Sequence, residues 1–362
     1  MSEMVDVAYK FGAGRYFQGE NILEQHLGEE VAKIGKKAYI IGGPTALSLA
    51  QERICRSLKE AGLSGLVKEY TGYCCYSAAE KVRLEAAATG CDLIIGVGGG
   101  RIMDFAKLCG AQANLPVVTI PTSMATCAAY TTLSVLYDES GKTVGNFYLR
   151  KEVSAVFIDG ALMASQPVRL AAAGVMDALA KFIEIKNGHA EVKSDSFDID
   201  LLTAAVLAEH TYDQILELLP AALEGLRKGL YTEALRKLIF LCIPVTGMIS
   251  GISKGFGQSA IGHELYYQLR TNFTKEALSY LHGEVVAIGL LAQLHYNGTP
   301  EQVAPFAAQM REMGMPTTLR QIGVEPTEAN RRLLYENMCA SPFVGDSEEK
   351  RALFSEALER IL

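Results

Sequence analysis

Tryptophan is absent and histidine is scarce, with only six in the chain. Eight cysteines are present, but no two stand in a C-x-x-C pair and they scatter through apolar segments. This argues against a zinc ribbon or a disulfide framework and leaves reduced core thiols as the reading. A basic excess is also missing: 34 Lys and Arg face 41 Asp and Glu, for a net charge of -7. A protein that lives on phosphate-backbone contacts needs clustered cations, so no nucleic-acid partner is expected. The opening MSEMVDVAYK lacks a basic head followed by an apolar run, so no secretory signal is expected and the cytoplasm is the default. The most apolar stretch, Leu238 to Ile249, contains Pro244 and Gly247 and reads as too short for a membrane span.

What is present is ordinary globular material, 49% hydrophobic and 21% charged over 362 residues, long enough for two cores. The first half alternates short apolar runs with helical patterns. Ala38 to Gly42, Asp92 to Val97, Pro116 to Ile120 and Ala155 to Asp159 read as strands buried on both faces of a parallel sheet. Thr45 to Ala61, Ser77 to Gly90 and Arg101 to Ala113 carry helical spacing between them, which predicts a doubly wound α/β domain. Leu133 to Tyr137 and Asn146 to Leu149, joined through Asp138 to Gly141, predict an inserted β-hairpin. Beyond about Leu162 the pattern is almost wholly helical, with Pro167 near a helix start and Ser165 as its expected N-cap. The expected division is an α/β domain over 1–162 and an all-α domain over 163–362.

Two regions carry chemistry. Ile94 to Asp104 (IIGVGGGRIMD) reads as strand, glycine turn and helix start. Without Cβ atoms at Gly98, Gly99 and Gly100, the backbone and the helix N-terminus behind it can approach an anion. The turn is not G-x-G-x-x-G, so the ordinary Rossmann fingerprint is missing. Thr122 and Ser123 add hydroxyls at the end of another strand, where open α/β sheets bind ligands. The second region gathers Asp177, an acid inside an apolar helical run, with His263 and His282, each at a helix start. One Asp and two His leave one tetrahedral position open, the pattern of a catalytic zinc site. A lone histidine is more often a satisfied core residue, and Asp177 could equally bridge helices, so spacing alone leaves both readings open.

Taken together, Gly96 to Ala106, Ile120 to Tyr137, Pro167 to Phe182 and Gly262 to Ala292 resemble the glycerol dehydrogenase and hydroxycarboxylate dehydrogenase branch of the iron- or zinc-dependent alcohol dehydrogenases. The resemblance implies a Rossmann-like α/β domain followed by an all-α metal-binding domain, the dehydroquinate-synthase-like fold. It implies an NAD- or NADP-linked oxidoreductase holding Zn2+, with Fe2+ as the other metal, on Asp177, His263 and His282. It implies further that Gly98, Gly99, Gly100 and Asp104, with Thr122, Ser123, Thr131, Leu133 and Tyr137, serve the cofactor. Family members commonly self-associate, so a homo-oligomer is expected, with a small hydroxy or oxo compound as substrate and no membrane.

Three departures shape the expected substrate. Glycerol dehydrogenases carry a substrate-contacting Asp where this chain has Cys127, and Ala125 to Leu136 is instead similar to the hydroxycarboxylate dehydrogenases. A site without that carboxylate favours a 2-oxo or 2-hydroxy acid over glycerol. The acid that often follows the first strand is replaced by Gly42-Gly43-Pro44, so NADP is expected to be tolerated. A histidine expected three positions after His263 is Tyr266, whose phenol would then take part in proton relay. For a carboxylate-pairing cation the sequence offers Lys254 only by its nearness to His263. A dehydroquinate-synthase-like lyase is the rival; no Lys/Arg cluster surrounds the histidines to hold its phosphate.

Overall fold

The computed structural model describes residues 11–192, 198–254 and 259–362. The opening decapeptide and the Gly257-Gln258 approach to His263 lie outside the described residues.

Strands β1 (Tyr16–Gly19), β2 (Lys37–Gly42), β3 (Ser64–Glu69), β4 (Leu93–Gly98), β5 (Val117–Pro121) and β8 (Ala155–Asp159) form one parallel sheet in the order β1-β8-β5-β4-β2-β3. The short helix α1 (Gly28–Ala32) precedes β2, while α2 (Pro44–Glu60), α3 (Tyr76–Thr89) and α4 (Gly100–Ala113) follow β2, β3 and β4. Alternate side chains of each central strand face opposite helical layers. Ile40, Ile95 and Val97 pack with Leu47, Ile54 and Leu58 of α2. Tyr39, Ile41 and Ile94 pack with Val82 of α3 and Phe105 and Leu108 of α4. Burial on both sides is what makes these strands continuous apolar runs. β1 and β3 escape the sequence reading because they are the sheet edges, where burial is only partial. The chain leaves β2 toward β3 and returns to its other side as β4, so the topological switch lies between Gly42 and Gly98.

β6 (Leu133–Tyr137) and β7 (Thr143–Tyr148) form the expected antiparallel hairpin, with Asp138 accepting from the N–H groups of Ser140 and Lys142 in its turn. After β8 comes α5 (Gly160–Ala164), N-capped by Asp159, and the expected boundary at residue 162 falls inside this helix. Ser165 is not the N-cap of the next helix. It ends α5, its hydroxyl donating to the Leu162 carbonyl, and Pro167 opens α6 (Val168–Ile185) because it needs no N–H there.

The remaining helices are α7 (Ile199–Arg227), α8 (Glu233–Phe240), α9 (Thr246–Ile252), α10 (Ile261–Asn272), α11 (Thr274–Ala277), α12 (His282–Tyr296), α13 (Val303–Glu312), α14 (Glu328–Cys339) and α15 (Glu348–Glu359). Helix α6 runs through the middle of this domain, packed by α7, α10 and α12. Glu233–Ile252 is one continuous helical run, long and apolar enough by length and composition to cross a membrane. That corrects the expectation drawn from Pro244 and Gly247: a π-turn over Leu241–Val245 absorbs the proline instead of ending the helix. Of its apolar window 61% is buried inside the protein, as befits a core helix.

Candidate metal and cofactor site

Three helices of the all-α domain carry the donors. Asp177 lies on α6, His263 in the first turn of α10 and His282 at the start of α12. Their convergence has local causes. Gly283, next to His282, lies so close to the Ala173 carbonyl that any Cβ would collide with it, which lets α12 start against the turn before Asp177. Glu284 then fixes the start of α12: it accepts from the Leu281 N–H at 2.8 Å and takes a two-bonded ion pair from Arg169 of α6 at 2.6 and 2.7 Å. Helix α10 is held by Glu184 of α6, whose Oε1 accepts from the Ala260 and His263 N–H groups at 2.7 and 2.9 Å.

One atom is the hub. Asp177 Oδ1 lies 3.4 Å from His263 Nε2 and 3.7 Å from His282 Nε2, and the three ligand atoms all fall within 4.8 Å of one another. A charge-assisted hydrogen bond would be shorter, about 2.7–2.9 Å. A tetrahedral ion with bonds of about 2.1 Å has ligand–ligand edges of roughly 3.4 Å. The donor set therefore fits a metal better than it fits direct hydrogen bonds. Glu184 Oε2 lies against Nδ1 of His263, an arrangement that leaves Nε2 facing Asp177; burial alone would push this ring down, but Glu184 and Asp177 outweigh it and raise its affinity for a proton. Burial would hold Asp177 protonated, yet Lys181 and the two histidines outweigh it and its carboxyl lies well below the usual range. His282 is pushed down, chiefly by burial, which keeps its lone pair available.

Around this hub stand residues of both domains. Tyr266, one turn after His263 on α10, meets the His282 ring edge-on at 4.4 Å, and burial pushes its phenol up. Cys127, in the loop after β5, has its thiol pushed up to about 12 by burial and by Asp177, so it is neutral near pH 7. Lys181, on α6 one turn after Asp177, brings its ammonium within 3.3 Å of the same Oδ1 and is 3% exposed.

The expected cofactor residues gather at the carboxyl end of the sheet, on the switch side. Gly98 ends β4 at φ +151, a value L side chains avoid, and Gly99 N-caps α4, which Gly100 begins. Thr122 donates its N–H to the Gly98 carbonyl at 3.0 Å, and Ser123 lies beside Gly99. Thr131 and Leu133 offer their carbonyls to the buried Lys107 of α4, the Thr131 contact at 3.1 Å. Asp104 points the same way: it pairs with Lys107 at 3.0 Å and accepts from the Val135 N–H at 3.2 Å. Its carboxylate thus braces the hairpin against α4. The end of β2 carries no acid, but Glu69 at the end of β3 stands in register with Gly42. Lys254 pairs with Asp200 at 2.7 Å, so the cation beside the donor set is Lys181.

Lys181 and Glu184 escaped the sequence reading although a signal was there. Asp177, Lys181 and Glu184 stand at i, i+4 and i+7, one face of an otherwise apolar helix.

Comparison with known proteins agrees with this architecture. Residues 13–159 match the family described as iron-containing alcohol dehydrogenase. The chain is 30% identical over 330 residues to a glycerol dehydrogenase of Escherichia coli O6:H1, covering 90% of this chain and 88% of the relative. It is 26% identical to hydroxycarboxylate dehydrogenase A of Escherichia coli K12, over 80% of this chain and 78% of that one. The crystal structure of a probable glycerol dehydrogenase from Sinorhizobium meliloti superimposes with a TM-score of 0.81 at 25% identity, covering 98% and 97% of the two chains. By that identity, coverage and shared fold, the chain belongs to the iron-containing alcohol dehydrogenase family of oxidoreductases.

Proposed function

We propose that this oxidoreductase is metal-dependent, uses NAD or NADP, and interconverts a small 2-hydroxy acid and its 2-oxo acid. The observation that carries the metal is the spacing of Asp177, His263 and His282, longer than direct charge-assisted hydrogen bonds and suited to a tetrahedral cage. In reduction, a hydride and a proton are added to the carbonyl, and NAD(P)H leaves as NAD(P)+. When bound, a zinc or ferrous ion supplies Lewis acidity toward the substrate oxygen, and the nicotinamide supplies the hydride. The chain's own part is positioning and proton handling. Gly98 to Gly100 and the α4 N-terminus would hold the pyrophosphate, and Thr131 with the hairpin residues Leu133 and Tyr137 would face the nicotinamide half. Tyr266, edge-on to the His282 ring, is placed to take part in proton transfer at the site.

The substrate class rests on charge. Cys127 presents a neutral thiol close to Asp177, so this position adds no carboxylate to repel an incoming acid. Glycerol is the second reading, favoured by the 30% identity to a glycerol dehydrogenase. Introducing a carboxylate at this position separates the two. Cys127→Asp is expected to lower kcat/KM for 2-oxobutyrate at least about tenfold more than for glycerol, since like charges in a closed cleft repel strongly. Steady-state rates on both substrates check it. Equal losses, or a native preference for glycerol, would remove the acid reading.

A further inference from the structure

We propose that Lys181 is the residue that recognises the substrate carboxylate; this deepens the 2-oxo acid reading and rests on it. The ammonium of Lys181 is almost wholly buried, yet its one hydrogen bond among the described residues is a 3.3 Å contact to Asp177 Oδ1. An ammonium has three donors, and a buried one left with a single long bond is costly unless something else accepts from it. Asp177 is a poor sole partner because the same oxygen faces His263 and His282.

Charge points the same way. Among the buried groups at the hub, Asp177 and Glu184 are acids and Lys181 is the cation. A divalent ion on Asp177 leaves this group one positive charge in excess, a balance that an anionic substrate restores. Geometry agrees as well. In a 2-oxo acid the carboxylate carbon is bonded directly to the carbonyl carbon. Whatever grips the carboxylate must therefore lie within a few ångströms of the metal donors, as Lys181 does through its contact with Asp177. Cys127, whose thiol feels the charges of both Asp177 and Lys181, lines the same spot without competing for the ammonium as a carboxylate would.

The test uses zinc-loaded enzyme with NADH and two substrates of equal chain length, anionic 2-oxobutyrate and neutral 1-hydroxy-2-butanone. Lys181→Met keeps the length and removes the charge. It should lower the kcat/KM ratio of oxobutyrate to hydroxybutanone by about 30-fold or more, the lower bound for breaking a buried charge pair. The dissociation constant of oxamate from the enzyme–NADH complex, read by cofactor fluorescence, should rise by a similar factor with bound zinc unchanged. Equal losses on both substrates, unaltered oxamate binding, or loss of zinc would assign Lys181 to supporting Asp177 and overturn the proposal. Native enzyme provides a reading that needs no variant to fold: glycolate should bind at least tenfold more tightly than neutral glycolamide, and equal binding overturns the proposal. A native enzyme inert toward every oxo acid overturns the substrate reading and this inference together. An enzyme active on oxo acids whose selectivity ignores Lys181→Met overturns this inference alone.

Discussion

Asp177→Asn, His263→Ala and His282→Ala should each cut turnover about a thousandfold or more, because Lewis-acid stabilisation is worth several kcal/mol of barrier. The three donors come from three helices and meet at one carboxylate oxygen, so none can be replaced by a neighbour on its own helix. Metal content by elemental analysis should fall in parallel from about one ion per chain, since a site reduced to two ligands is no longer the three-ligand catalytic pattern. Circular dichroism should change little for the His282 variant, whose side chain is 26% exposed. The buried Asp177 is the harder case, and asparagine is chosen there to preserve shape. A variant that kept its metal and its rate would remove that residue from the ligand set.

Glu184→Gln is the second large effect expected. The carboxylate does two jobs at once: it accepts from the His263 ring and from two backbone N–H groups at the start of α10. Glutamine retains one acceptor oxygen but loses the charge that favours the metal-facing tautomer and strengthens the imidazole as a donor. Partners of this kind typically contribute 10- to 100-fold to metal affinity, and the buried position of Glu184 puts the expected loss near the upper end, about 100-fold. Competition with a chromogenic chelator measures it. Because the amide oxygen of the glutamine would still cap α10, the melting temperature should move far less than it does for Glu184→Ala. Unchanged metal affinity in Glu184→Gln would mean that the carboxylate serves only the helix.

How much of this was legible beforehand follows from burial. The central strands announce themselves because both faces are covered, as with Ile40 and Ile41 of β2, which belong to opposite cores. The edge strands β1 and β3 are half-covered, carry polar residues such as Gln18 and Lys68, and leave no comparable run. Asp177, His263 and His282 could be singled out as acid and imidazole in apolar settings, but their meeting depends on contacts between helices far apart in the chain, such as Gly283 against Ala173. Asp104 could be placed behind the glycine turn. That its carboxylate serves Lys107 and Val135 could not, because the hairpin's docking is a tertiary event. Lys254 was close to His263 in sequence and is bonded to Asp200 in space, whereas Lys181 lies next to the donors through simple helical periodicity.

Metal-dependent hydride transfer at Asp177, His263 and His282 is read out by the rate of NADH and NADPH consumption on 2-oxobutyrate before and after metal removal. Enzyme stripped by a chelator and dialysed should lose nearly all activity, and one equivalent of zinc or ferrous ion should restore it. Stripped enzyme, shown to be metal-free, that still oxidised the cofactor at the full rate would rule out metal dependence.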